Sequence, residues 1–350
     1  MTQSPARCVR LGGLGLALTL GVALAQPAVQ RQTVRAGSAN VAVTSVRFPA
    51  GRYDLSVALA GPRVASNAPL AQIAARSGAT CAINGTFLAA YAGQSGEPYG
   101  TLVVGGRVLH LGTVGTRLDV LQDGRVRFAR DGLRIRGTLD GSGASPNNWY
   151  AYNVNQTPSN ANYAYLYTPD YGPRLRFVPD VAVIVRNGVV ERAVRGEAAQ
   201  IPADGFVLAL AGSEVRQLAG RFTPGRRADY RVEEADGTPL GARFSLGAGP
   251  LLVRDGSVVA DPSAEGFRQD KILTARGARS AVGFTAAGDL LLVTFPGATI
   301  REEAQAMRAL GAVNAMNLDG GASSGLVCGG RAVVPGGRQI ANALVVRSRR

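Results

Sequence analysis

Histidine, lysine and cysteine are scarce in this chain, and each scarcity removes a class of chemistry. Among 350 residues there is one histidine, His110, and one lysine, Lys271. A Ser-His-Asp mechanism needs a histidine beside its nucleophile. Gly321-Ala322-Ser323-Ser324-Gly325 carries the spelling of a nucleophile elbow. No histidine follows it, however, and Leu326-Val327-Cys328-Gly329-Gly330 reads as extended chain where a helix should begin. A lone histidine and dispersed cysteines give no zinc-ligand spacing, so neither a metal nor a cofactor is expected. There is no Walker loop, and no Gly-x-Gly-x-x-Gly follows a strand and opens a helix, which argues against nucleotide-dependent chemistry. Carboxylate, arginine, amide and backbone chemistry remain.

Helical periodicity is also scarce. Charged residues make up 18% of the chain and apolar residues 46%, with 46 glycines. That balance supplies a sizeable core and argues against disorder. The glycines point to many short strands and turns. The expected class is α+β, with strand-rich mixed sheets and a few helices in a single large domain. That domain is expected over residues 26–350, in an N-terminal part 26–140, a central strand-rich part about 141–270 and a C-terminal part 271–350.

The first 25 residues read as a secretory signal peptide. Arg7 and Arg10 precede the uncharged run Leu11 to Leu24, and Ala23-Leu24-Ala25 places cleavage near Ala25. An exported protein is therefore expected, in the periplasm, cell envelope or medium, with no stable membrane span. Cys8 lies in the leader. Cys81 and Cys328 then read equally well as a disulfide, which export permits, or as two buried free thiols.

The formal charge is +14, carried almost wholly by arginine. Guanidinium forks match phosphate and carboxylate oxygens in pairs. The arginines are scattered singly, without a basic run or an aromatic-basic stripe, so no nucleic acid is expected. An anionic glycan or sugar-phosphate partner suits an exported protein better.

Several elements can be read directly. Pro69 to Arg76 reads as a short helix with Leu70, Ile73 and Ala74 on one face. Thr80 to Ile83 reads as a buried strand ending at Asn84-Gly85. Asn187-Gly188 and Asp255-Gly256 mark tight hairpins. Thr299 with Glu302 spells a capping box, opening a helix that Gly311 ends. Gly141 to Pro158 reads as a loop or lid. Tyr150, Tyr152, Tyr163, Tyr165, Tyr167 and Tyr171 read either as a sugar-stacking wall or as strand core, with core favoured for Tyr163, Tyr165 and Tyr167.

The most informative stretch is Ala315-Met316-Asn317-Leu318-Asp319-Gly320-Gly321-Ala322-Ser323-Ser324. An apolar strand stops at an acid, and two glycines follow. Ligand sites favour the C-terminal ends of such strands. The same spelling also suits a surface turn.

These residues resemble the phosphodiester glycosidase family. The likeness runs through Ala82-Ile83-Asn84-Gly85-Thr86-Phe87 with Pro98-Tyr99-Gly100, Leu166-Tyr167-Thr168-Pro169, Ile201 to Phe206 and Gly249 to Val253. It is most specific in Ala278-Arg279-Ser280-Ala281-Val282-Gly283, Leu310-Gly311-Ala312 and Asn317-Leu318-Asp319-Gly320-Gly321. The chain departs from the family at Pro296-Gly297-Ala298, where Asp-Gly-Arg is usual, at Ser280, where threonine is usual, and at Ala322, where a third glycine is usual.

The resemblance implies hydrolysis of a sugar-1-phosphate diester. Asp319 would act at the anomeric centre as base or nucleophile, and Arg279 would grip the phosphate. Asn84 and Asn317 would orient hydroxyls or water, with Glu97 as a second carboxylate. Gly320, Gly321, Ser323, Ser280 and Gly85 would complete the substrate site. A non-catalytic envelope protein that binds anionic glycan is the alternative, with a serine hydrolase at Ser323 third.

Overall fold

The computed structural model describes residues 28–91 and 96–349. The leader expected over residues 1–25 lies outside them. Strands dominate and helices are few. The described residues form five sheets, antiparallel throughout except where Asn153–Val154 runs parallel to Tyr163–Tyr167.

Two sheets build the site. In the seven-stranded sheet, Gly277–Thr285 lies between Leu290–Ala298 and Ala312–Asn317. The first two strands are joined at Gly288-Asp289. The return to the third passes through the helix Ile300–Ala309, which buries Ile300, Ala304, Ala306 and Met307 on the sheet. Both halves of its capping box form: Thr299 Oγ1 accepts from Glu302 N–H, and Glu302 accepts from Thr299 N–H. Gly311, at φ +93°, takes the turn that ends the helix.

The second sheet, of five strands, places Cys81–Asn84 between Leu326–Cys328 and Asn342–Ser348. The two sheets share one core, in which Val282, Leu292 and Met316 meet Ile83, Leu326 and Leu344. Each such side chain, fully withdrawn from water, contributes about 1.5–3 kcal/mol. Cys81 and Cys328 face each other in register and are disulfide-bonded. The bridge thus clamps the strand that ends at Asn84 to the strand that leaves the Asp319 turn.

Other expected elements form as well. The helix Leu70–Arg76 buries Leu70, Ile73 and Ala74. Asn187-Gly188 and Asp255-Gly256 both have positive φ at the two central residues, the twist that tight hairpins favour. Tyr163, Tyr165 and Tyr167 lie in the core. The stretch read as a loop or lid differs. It contains the strands Asn148–Ala151 and Asn153–Val154, and Trp149 stacks on Phe206 with ring centres 5.7 Å apart. Its polar residues cluster in a turn before Asn148, while Trp149, Ala151 and Val154 point inward. Among the described residues no helix is long and apolar enough to cross a membrane.

Candidate functional site

Asp319 is fixed by backbone pairing on both sides. Leu318 N–H donates to Ser280 O at 2.7 Å, and Asp319 N–H donates to Gly85 O at 3.0 Å. Asn84 lies beneath: its Nδ2 donates to Asp319 O at 2.7 Å, and its Oδ1 accepts from Gly325 N–H at 3.1 Å. A Cβ at Gly85 would lie 2.0 Å from Asn342 Oδ1, and one at Gly320 would lie 2.8 Å from Ala278 O. Both positions therefore need glycine for close approach. The Gly320 N–H donates to Asp319 Oδ1 at 2.8 Å and aims the carboxylate.

That carboxylate faces a cleft of about 650 Å³. Among the described lining residues Asp319 is the one acid. Burial disfavours its charged form and pushes its pKa up to about 6. Ser323 Oγ, which has no other hydrogen-bond partner among the described residues, and the Gly320 N–H partly offset this, as do Arg338 and Lys271. A carboxyl group tuned to about 6 exchanges protons near neutral pH, as general acid-base work requires.

Arg279 also lines the cleft but spends most of its donors on backbone. Nε donates to Ala298 O at 3.2 Å, and Nη2 donates to Lys271 O at 2.7 Å and Ala275 O at 2.8 Å. Its Nη1 edge is turned toward Gly320. Burial lowers the Arg279 pKa, and Glu303 opposes that. Glu303 is itself fully buried, neither of its oxygens is hydrogen-bonded among the described residues, and burial pushes its carboxyl well above the usual range.

The other expected site residues fall behind the wall. Asn317 Nδ2 donates to Gly249 O at 2.6 Å, and Ser280 is buried within its strand. Neither lines the cleft, because both side chains point into the packed interior. Glu97 accepts from Thr157 N–H at 3.1 Å and Thr157 Oγ1 at 2.6 Å, tying the loop before Tyr99 to the opposite chain segment. Asn84, Gly85 and Ser323 support the Asp319 turn from below, while Gly320 and Gly321 line the cleft.

Sequence reasoning missed Lys271, Arg338, Tyr91 and Tyr99, all of which line the cleft. The aromatic wall is built by Tyr91 and Tyr99, 60% and 50% exposed, and not by the later tyrosines. Tyr150 and Tyr152 instead donate to Glu214. A lone lysine in an arginine-rich chain was one available signal. Tyrosines bracketing the polar loop after Asn84-Gly85 were another. His110 is remote in chemistry: its Nδ1 donates to Gly100 O at 2.9 Å, burial lowers its pKa to about 4, and it takes no part in the cleft. Among the described residues no group of three His, Cys, Asp or Glu could hold a metal ion.

Three solved structures are similar to this chain. A hypothetical protein from Synechocystis superposes with a TM-score of 0.80 at 26% identity. The match covers 92% of this chain and 62% of that one, so this chain spans less than two thirds of its length. A Burkholderia pseudomallei K96243 protein assigned as exported gives 0.69 at 24% identity, covering 89% of this chain and 75% of the other. The catalytic domain of zebrafish N-acetylglucosamine-1-phosphodiester alpha-N-acetylglucosaminidase, auto-inhibited by its pro-peptide, gives 0.51 at 12% identity, covering 93% and 83%. These last two likenesses concern the fold alone. No curated protein sequence matches the chain. The segment 179–347, which carries Lys271, Arg279, Asp319 and Arg338, matches the model of the phosphodiester glycosidase family.

Proposed function

We propose that this chain is an exported hydrolase that cleaves a sugar-1-phosphate diester on envelope or extracellular glycans. The observation that carries the reading is Asp319, the one acid among the described cleft residues, raised to about 6 and facing Lys271, Arg279 and Arg338. Ordinary glycosidases need two carboxyl groups, one to protonate a poor leaving group. A phosphomonoester leaves as a stable anion, so one carboxylate suffices. Water supplies the oxygen that ends on the sugar. The bond from the anomeric carbon to the phosphate oxygen breaks, and its electron pair leaves with the phosphate. Asp319 takes the proton from water or attacks the carbon itself.

The remaining roles follow from position. The Arg279 Nη1 edge and the Gly321 amide stabilise charge on the phosphate. Asn84 and Gly85 hold the Asp319 backbone. Asn317 and Ser280 support the strands behind it, and Ser323 moderates the acidity of Asp319. Glu97 anchors the loop that presents Tyr99.

The test is turnover of a sugar-1-phosphodiester panel by the native chain and by Asp319→Asn. Free sugar and phosphomonoester should appear with the first and fall at least a thousandfold with the second, as losing the one reacting carboxylate implies. Unchanged turnover in the variant would remove Asp319 from the mechanism. A binding-only role is the second reading, favoured by Pro296-Gly297-Ala298 in place of the usual Asp-Gly-Arg. It predicts saturable glycan binding with no product from any diester.

A further inference from the structure

Two cations of the cleft share one aromatic ring. Lys271 Nζ lies 3.3 Å from Tyr91 Oη and 5.4 Å from the ring centre, and the Arg338 guanidinium carbon lies 5.9 Å from the same centre. Neither pairs with an acid among the described residues, whereas the neighbouring Arg276 is taken by Glu302. Both lie close enough to Asp319 to lower its pKa. Their backbones are held in place. The Lys271 carbonyl accepts from Arg279 Nη2 at 2.7 Å. The Arg338 loop is tied to the Asp319 turn through Gly337 N–H to Ala322 O at 2.8 Å.

We propose that Lys271 and Arg338, spaced by Tyr91, form the seat for the anionic phosphate of the substrate. This rests on the reading of the cleft as a phosphodiester site. Arg279 cannot serve as the main fork, because its Nε and Nη2 hydrogens already go to three carbonyls. Arg338 retains its guanidinium edge for a bidentate contact. Lys271 adds a point charge on a flexible stem, so it can follow the phosphate as the bond breaks. Tyr91 keeps the two cations apart and orients both through its ring.

Because Lys271 is the chain's one lysine, acylation of its amine can be followed by peptide mass spectrometry without any turnover. Inorganic phosphate should slow labelling of Lys271 at least fivefold in the native chain, relative to chloride at equal ionic strength. In Arg338→Gln the phosphate concentration giving half protection should rise at least tenfold, and Arg338→Lys should fall between the two. Equal protection by chloride, or an unchanged half-protection concentration in Arg338→Gln, would overturn the assignment. Protection without hydrolysis of any diester would sink the reaction reading and leave the seat standing. Hydrolysis without protection would sink the seat alone.

Discussion

Asn84 Nδ2 donates to the backbone carbonyl of Asp319 at 2.7 Å, across 235 residues of sequence. The other end of the same amide accepts from Gly325 N–H, so one side chain closes the whole turn between Asp319 and Gly325. Asn84→Ala leaves a buried carbonyl and a buried N–H unpaired, at about 1–3 kcal/mol each. It also frees the carboxylate to drift, and a 1 Å misplacement costs about a hundredfold. The expected result is a stability loss of about 2–6 kcal/mol and a kcat reduced about a hundredfold with KM little changed. Denaturant titration and steady-state kinetics measure both. A raised KM at native kcat would instead give Asn84 a direct contact with substrate.

The pKa of Asp319 has a consequence for stability as well as activity. It stands at about 6, against about 4 for an aspartate in an unfolded chain. Between those values the folded protein keeps a proton that the unfolded chain has released. The stability from this group is therefore complete below pH 4 and falls as pH rises to about 6, by up to about 3 kcal/mol. Asp319→Asn removes that loss while keeping an oxygen for the Gly320 N–H. The variant should be inactive, and more stable than the native chain at pH 8. The difference should close near pH 4. Urea titrations at the two pH values measure it, and equal stability at pH 8 would contradict the buried carboxylate. Native activity should rise with pH through about 6.

Local signals in the sequence were legible because local chemistry satisfied them. The Thr299–Glu302 box closes within one turn, and Asn187-Gly188 adopts the left-handed pair its hairpin needs. The place of Asp319 at a strand's end was legible too, because the apolar run Ala315 to Leu318 stops at an acid followed by two glycines. The cationic wall was not. Lys271 and Arg338 are 67 positions apart, and only the packing of separate segments brings both to Tyr91, a further 180 positions from Lys271. The roles of Asn84, Asn317 and Glu97 were also hidden. An amide or carboxylate beside a site can face the ligand or brace the backbone, and residue type does not distinguish these. The strand Val29–Ala36 escaped notice because its inward positions are few and its exposed face is polar.

The glycine after Asp319 offers the sharpest test of the turn. Gly320 has φ −121°, which any residue adopts, so backbone strain plays no part there. What it lacks is room: an added Cβ would lie 2.8 Å from Ala278 O, which is backbone of the central strand and cannot swing aside. The carbonyl or the turn must shift, at about 1–3 kcal/mol for an overpacked site. The shift also moves the N–H that aims the Asp319 carboxylate. Gly320→Ala should therefore lose stability by that amount and reduce kcat at least tenfold. Gly297→Ala, in the adjoining strand with nothing within 4 Å of its added methyl, is the control and should change neither by a measurable amount. Native kcat in Gly320→Ala would mean that the carboxylate does not depend on this amide for its aim.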